Sequence, residues 1–204
     1  MIQIAVLASG RGTNLQAIID AIEEGYISGI IKIVISDNPR AYALQRAKDH
    51  QIETKVFYYK QYKNKTEYEQ GIIQFLKKFN IDLVVLAGYM RILSPTFIRE
   101  YPYRIINIHP ALLPSFPGLH AQRQALEYGV KISGCTVHFV DEGMDTGPII
   151  LQESVKVDQS DNEETLSNRI LEFEHEILPK AIQLFAQSKI QIYNNKVYLK
   201  DLKE

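Results

Sequence analysis

Four short runs constrain the fold of this chain more than any other feature: "IQIAVLA" (2–8), "IIKIVIS" (30–36), "DLVVLAG" (82–88) and "RIINIH" (104–109). Successive side chains of a strand point to opposite faces, so a run that is apolar almost throughout must be covered on both sides. The segments between them, "NLQAIIDAIEEG", "RAYALQRAKDH" and "TEYEQGIIQFLKKF", carry apolar residues at helical spacing. Strands alternating with helices in this way predict a parallel sheet with helices packed on its two faces. "TKVFYY" (54–59) adds a short strand, and "SPTFIREY" a short helix with Ser94 as cap and proline at its first position.

Past residue 120 the pattern changes. "AQRQALEYG" is helical, whereas "ISGCTVHFV" (132–140) and "PIILQESVKV" (148–157) read as strands whose seven-residue link suits an antiparallel pair. A long amphipathic helix follows, with an expected capping box of Ser160 and Glu163, and the chain closes on a hairpin turning at Asn194–Asn195. The expectation is an α/β protein with a Rossmann-like three-layer fold, its sheet mostly parallel with an antiparallel C-terminal portion. No repeat, linker or low-complexity segment interrupts it, so residues 1–204 are expected to form a single domain with halves at 1–100 and 101–204.

Charge excludes some classes of partner. With 23 basic and 24 acidic residues the formal net charge is −1, which offers no global attraction to nucleic acid or to an anionic membrane. No apolar run approaches the ~20 residues of a membrane span, and "MIQIAVLASG" lacks the basic region of a signal peptide. The single cysteine, Cys135, forms no internal disulfide, fits a reducing cytoplasm, and is expected to be a buried structural thiol.

Chemistry is expected where strands end. In "ASGRGTNL", glycines at 10 and 12 let the backbone approach an anion at a helix N-terminus, with Thr13 and Asn14 beside it. Leu15 occupies the place of the third glycine of a dinucleotide fingerprint, which favours a single phosphate. Asn107 and His109, two apart on a strand, project from one face just before the proline-rich loop "HPALLPSFPGLH", in which Leu113–Pro114 is a candidate cis bond. The loop "FVDEGMDTGP" supplies Asp141, Glu142 and Asp145, any of which beside a histidine would favour imidazolium. The histidines and carboxylates show no close metal-ligand pair, so no metal is expected.

Together "SGRGTNLQAI", "LAGYMRILSP", "NIHPALLPSFPGLHAQRQAL" and "VHFVDEGMDTGPIILQ" resemble the successive motifs of the phosphoribosylglycinamide formyltransferase family of folate-dependent enzymes. The resemblance implies formyl transfer from 10-formyltetrahydrofolate, as co-substrate, to the amine of glycinamide ribonucleotide in cytoplasmic purine synthesis. It implies that Asn107 and His109 stabilise the oxyanion, with Asp145 keeping His109 protonated. Gly12, Thr13, Asn14 and Glu174 would bind the ribonucleotide. Lys65, Met90, Arg91, Ile92, Leu93, Asn107, Val140, Asp141, Glu142, Gly143, Met144 and Asp145 would line the folate site. Residues 1–100 would then be the phosphate-binding half and 101–204 the catalytic and folate-binding half. The partners implied are small molecules, with no nucleic acid or membrane, and a monomer or homodimer.

Rival expectations are a methionyl-tRNA formyltransferase, which would need a further tRNA-binding domain, and a formyltetrahydrofolate hydrolase, which would carry an added N-terminal regulatory domain. A nucleotide-binding sensor without catalysis and a nicotinamide oxidoreductase are the others.

Overall fold

The computed structural model describes residues 1–200. In chain order the main elements are β1 (Ile2–Leu7), α1 (Thr13–Glu23), β2 (Gly29–Ser36), α2 (Tyr42–Asp49), β3 (Thr54–Val56), α3 (Lys65–Leu76), β4 (Leu83–Leu86) and α4 (Pro95–Glu100). They continue as β5 (Ile105–His109), α5 (Ala121–Tyr128), β6 (Ile132–Phe139), β7 (Ile149–Lys156), α6 (Glu163–Ala186), β8 (Ile190–Tyr193) and β9 (Lys196–Leu199). The fold is α/β, with a mostly parallel seven-stranded sheet in the order β3-β2-β1-β4-β5-β6-β7 and a separate pair, β8-β9. Two compact units divide the chain, Met1–Ile106 and a second beginning at Asn107.

In the first unit β1 pairs in parallel with both β2 and β4, and β2 with β3. Ile4–Leu7 of β1 and Leu83–Val85 of β4 are wholly buried, as runs without polar alternation require. Helix α4 starts as expected, with Pro95 in its first turn and the Ser94 hydroxyl accepting from the Phe97 N–H at 3.3 Å.

In the second unit β6 and β7 form the expected antiparallel pair. Cys135 on β6 is buried, and that burial pushes its thiol up to about 12, as befits a structural residue. The Leu113–Pro114 bond is cis. The loop that contains it is braced from both strands. Thr136 Oγ1 donates to the Ala111 carbonyl at 2.7 Å and accepts from the Leu113 N–H at 3.1 Å, while Gln152 Nε2 donates to the Leu113 carbonyl at 2.9 Å. The terminal hairpin turns at Asn194 and Asn195, both with positive φ, which a two-residue turn of this hand demands.

Helix α6 corrects one expectation. Its capping box is Asn162 with Thr165, two residues beyond the expected Ser160–Glu163 pair: Asn162 Oδ1 accepts from the Thr165 N–H at 2.9 Å, and Thr165 Oγ1 accepts from the Asn162 N–H at 3.0 Å. The reason lies in Asp161. Its carboxylate takes two bonds from Arg169, at 2.7 and 2.8 Å, and one from the Asp158 N–H, which holds residues 158–161 in a turn and delays the helix. Those bonds, Arg169 foremost, keep the Asp161 carboxyl well below the usual carboxylate range. Replacing Asn162 by alanine is expected to destabilise the protein by about 1 kcal/mol, read as a lower urea midpoint at unchanged slope. An unaltered midpoint would show that the cap contributes nothing.

Among the described residues, no helix is long and apolar enough to cross a membrane.

Candidate active site

The glycine loop of the first unit is built around Gly12. This residue caps α1 in the left-handed region (φ 72°) and, as a glycine, supplies no side-chain capping bond of its own. A Cβ here would lie 2.7 Å from both Cα and Cβ of Ala43, so glycine is required twice over, by conformation and by space. The loop is pinned from outside: Ala43 N–H donates to the Gly10 carbonyl at 3.1 Å, and Arg46 Nε to the Arg11 carbonyl at 3.0 Å. Thr13 and Asn14 follow in the first turn, where the N–H groups and the helix dipole attract an anion.

The segment after β4 lies against this loop. Ser9 N–H donates to the Gly88 carbonyl at 3.0 Å, and the Ser9 hydroxyl accepts from the Met90 N–H at 2.9 Å. Met90 and Ile92 are exposed, whereas Leu93 is buried. Arg91 is occupied within its own unit: Nε meets Asp37 Oδ2 at 2.8 Å and the guanidinium lies 4.2 Å over the Tyr59 ring. Asp37, which follows β2, thus serves as the partner of Arg91. Lys65, exposed at the start of α3, has its ammonium 3.9 Å from the buried carboxylate of Glu69.

The second unit gathers Asn107, His109 and Asp145, and adds His138. Asn107 Nδ2 and His138 Nε2 are 3.2 Å apart. Asp145 lies between the two histidines, with Oδ2 3.4 Å from His109 Nδ1 and Oδ1 3.6 Å from His138 Nε2. The loop after β5 supplies two backbone groups that side-chain identity does not reveal. His109 Nε2 donates to the Phe116 carbonyl at 2.8 Å, and the Gly118 N–H donates to Asp145 Oδ2 at 2.8 Å. Asp145 itself has a positive φ of 54°, in the left-handed region that Asp and Asn enter more readily than most residues.

The rest of the 140–145 loop shapes this arrangement. Asp141 Oδ1 accepts from the Gly143 N–H at 3.1 Å and from Thr146 Oγ1 at 2.7 Å, so this carboxylate closes the loop on itself. Glu142, Gly143 and Met144 are exposed and Val140 half-buried. Glu174 is buried on α6. The expectation that it contacts the ribonucleotide rests on family resemblance alone, because a buried glutamate in a helix is legible only once the packing is known.

Electrostatics at His109 set two effects against each other. The residue is only 4% exposed, and burial pushes the imidazolium pKa below its ordinary value. The Asp145 carboxylate and the Phe116 carbonyl act in the expected upward direction, and the neighbouring His138 opposes them. Burial wins, so Asp145 supports the charged form without holding His109 above its usual range. For Asp145 the balance goes the other way: burial works to raise the carboxyl, but the two histidines in their protonated forms and the Gly118 N–H outweigh it and hold the group below its ordinary value.

Likeness to known proteins agrees with these features. The family described as Formyl transferase matches residues 2–182. The phosphoribosylglycinamide formyltransferase of Bacillus subtilis is 44% identical over 183 residues, covering 90% of this chain and 94% of that protein. A crystal structure of glycinamide ribonucleotide transformylase 1 from Symbiobacterium toebii superposes with a TM-score of 0.97 at 49% identity, covering 98% of this chain and 95% of that one. The human trifunctional purine biosynthetic protein adenosine-3 is 48% identical over 193 residues, but the chain spans only 19% of its length. By these likenesses the chain belongs to the formyl transferase family, among the phosphoribosylglycinamide formyltransferases.

Proposed function

We propose that this protein transfers the formyl group of 10-formyltetrahydrofolate to the amine of glycinamide ribonucleotide, a step of de novo purine biosynthesis carried out in the cytoplasm. The observation that carries this reading is the cluster of Asn107, His109 and Asp145 at the end of β5, tied together by hydrogen bonds and charge within one unit. The glycinamide amine attacks the formyl carbon, and a tetrahedral centre forms with negative charge on the former carbonyl oxygen. Donors already aimed at that oxygen lower the barrier without reorganising. Asn107 offers an amide N–H, and His109, when protonated, a positive charge beside it.

His109 is suited to take up and release a proton during this step. Both of its ring nitrogens face acceptors, the Phe116 carbonyl and the Asp145 carboxylate, while burial disfavours a permanent charge. A base whose charged form is stabilised only as the oxyanion develops contributes more to the transition state than to the ground state. The attacking nitrogen loses one proton and N10 of the folate gains one as the C–N bond breaks, and His109 relays it. Gly12, Thr13 and Asn14 hold the phosphate on the α1 N-terminus, and Glu174 contacts the ribonucleotide. Lys65, Met90–Leu93 and residues 140–145 contact the folate.

The test is the absorbance change of 10-formyltetrahydrofolate mixed with purified protein, with and without glycinamide ribonucleotide. Signal that requires the ribonucleotide supports the transferase. Folate turnover in its absence points to a hydrolase, and no change in either mixture removes the enzymatic reading.

A further inference from the structure

His138 lies near the end of β6, 2% exposed, where the register with β7 steps from Val137–Leu151 to His138–Ile149 and skips Ile150. Irregularities of this kind re-aim side chains beside functional sites. Its Nδ1 is 2.8 Å from the Phe139 carbonyl, a group that can only accept, so Nδ1 carries a proton. In the neutral ring Nε2 is then an acceptor. The atom facing it at 3.2 Å is the Asn107 amide nitrogen. Asp145 Oδ1, at 3.6 Å, is beyond hydrogen-bond length from the same Nε2.

A carboxamide has two nearly isosteric ends and a broad terminal torsion, so packing alone does not decide which end faces a ligand. Here one end is decided by chemistry. A flipped Asn107 would set its oxygen lone pairs against the lone pair of Nε2. Against the neutral ring only the nitrogen can sit there, and with it comes the second N–H, left to donate elsewhere.

We propose that His138 is a positioning residue for formyl transfer: its Nε2 holds the Asn107 carboxamide with nitrogen, not oxygen, in the donor place. The inference rests on the reading given above, in which Asn107 stabilises the oxyanion. Removal of the acceptor leaves the amide free to turn over, so that a fraction of molecules present an acceptor to the developing negative charge.

Two measurements test it. In protein labelled with 15N-imidazole, the His138 resonances should show a protonated Nδ1 and an unprotonated Nε2 near neutral pH; a ring protonated on Nε2, alone or on both nitrogens, overturns the proposal whatever the activity. In kinetics, His138→Met, which fills the space without an acceptor, should lower kcat by about tenfold to a hundredfold, less than the ~10²–10³ of losing a donor outright. KM for both substrates should stay within about twofold, since uniform binding is untouched. His138→Gln places an amide oxygen near the Nε2 position and should recover most of the rate; it also serves if the methionine variant does not fold. In an Asn107→Ala background either substitution should cost nothing further. Additive losses, or unchanged kcat in both variants of an active enzyme, overturn this inference alone. A wild-type protein that transfers no formyl group overturns the underlying reading and this one with it.

Discussion

His109→Ala is expected to lower formyl transfer by about 10²–10⁴-fold, the range of a general acid–base group, while the affinity for glycinamide ribonucleotide changes little. The physical ground is the division of labour proposed for the chain. Phosphate capture is assigned to the N–H groups at the start of α1, in a unit that does not contain His109. The variant loses the one ring that links the Phe116 carbonyl to the Asp145 carboxylate. Calorimetric titration of the ribonucleotide, set beside kcat, separates the two effects. Near-normal turnover would remove His109 from the mechanism, and a collapse of ribonucleotide affinity would break the assignment of separate roles.

Asp145→Asn is expected to have the second-largest effect, slowing turnover by about 10²–10³-fold and displacing its pH dependence. The sign follows from the balance at His109. Burial already depresses the imidazolium pKa, and the Asp145 charge is the main influence resisting it. An amide keeps an acceptor for the Gly118 N–H but removes that charge, so the pKa falls further and the His109 limb of the rate profile moves to lower pH. The same balance acts on stability. A histidine whose folded pKa is depressed binds its proton more readily unfolded, so its contribution is present above about pH 6.5 and is lost as pH falls through the folded value. Thermal melts of the wild type and Asp145→Asn between neutral and mildly acid pH should diverge, with the variant more acid-sensitive through this residue. An unshifted rate profile together with parallel melts would show that the two groups are not coupled.

The features legible in the sequence are those set by local geometry. Runs apolar almost throughout marked β1, β2, β4 and β5, because a strand covered on both faces tolerates little polar alternation. Glycines at 10 and 12 marked a loop open to close approach, and the structure adds that Gly12 curls left-handed against Ala43. The α6 cap was placed two residues early, because Ser160 and Glu163 satisfy the motif and the bond from Arg169 to Asp161 that defers the helix joins residues eight apart.

By itself the sequence determined that Asn107 and His109 leave one strand on the same face, since side chains two apart always do. It also determined that carboxylates follow β6 in a short loop. Strand and loop geometry left open which carboxylate reaches the histidine; family resemblance pointed to Asp145, and in the tertiary structure Asp145 meets it while Asp141 turns back on its own loop. Only the tertiary structure decided that His138 joins Asn107, and that a carbonyl and an N–H of the loop after β5 complete the cluster. Backbone groups are the same at every position, so no residue letter announces them. The sign of the His109 shift was likewise a tertiary outcome: desolvation depends on everything packed around the ring, and here it exceeds the pull of the carboxylate beside it.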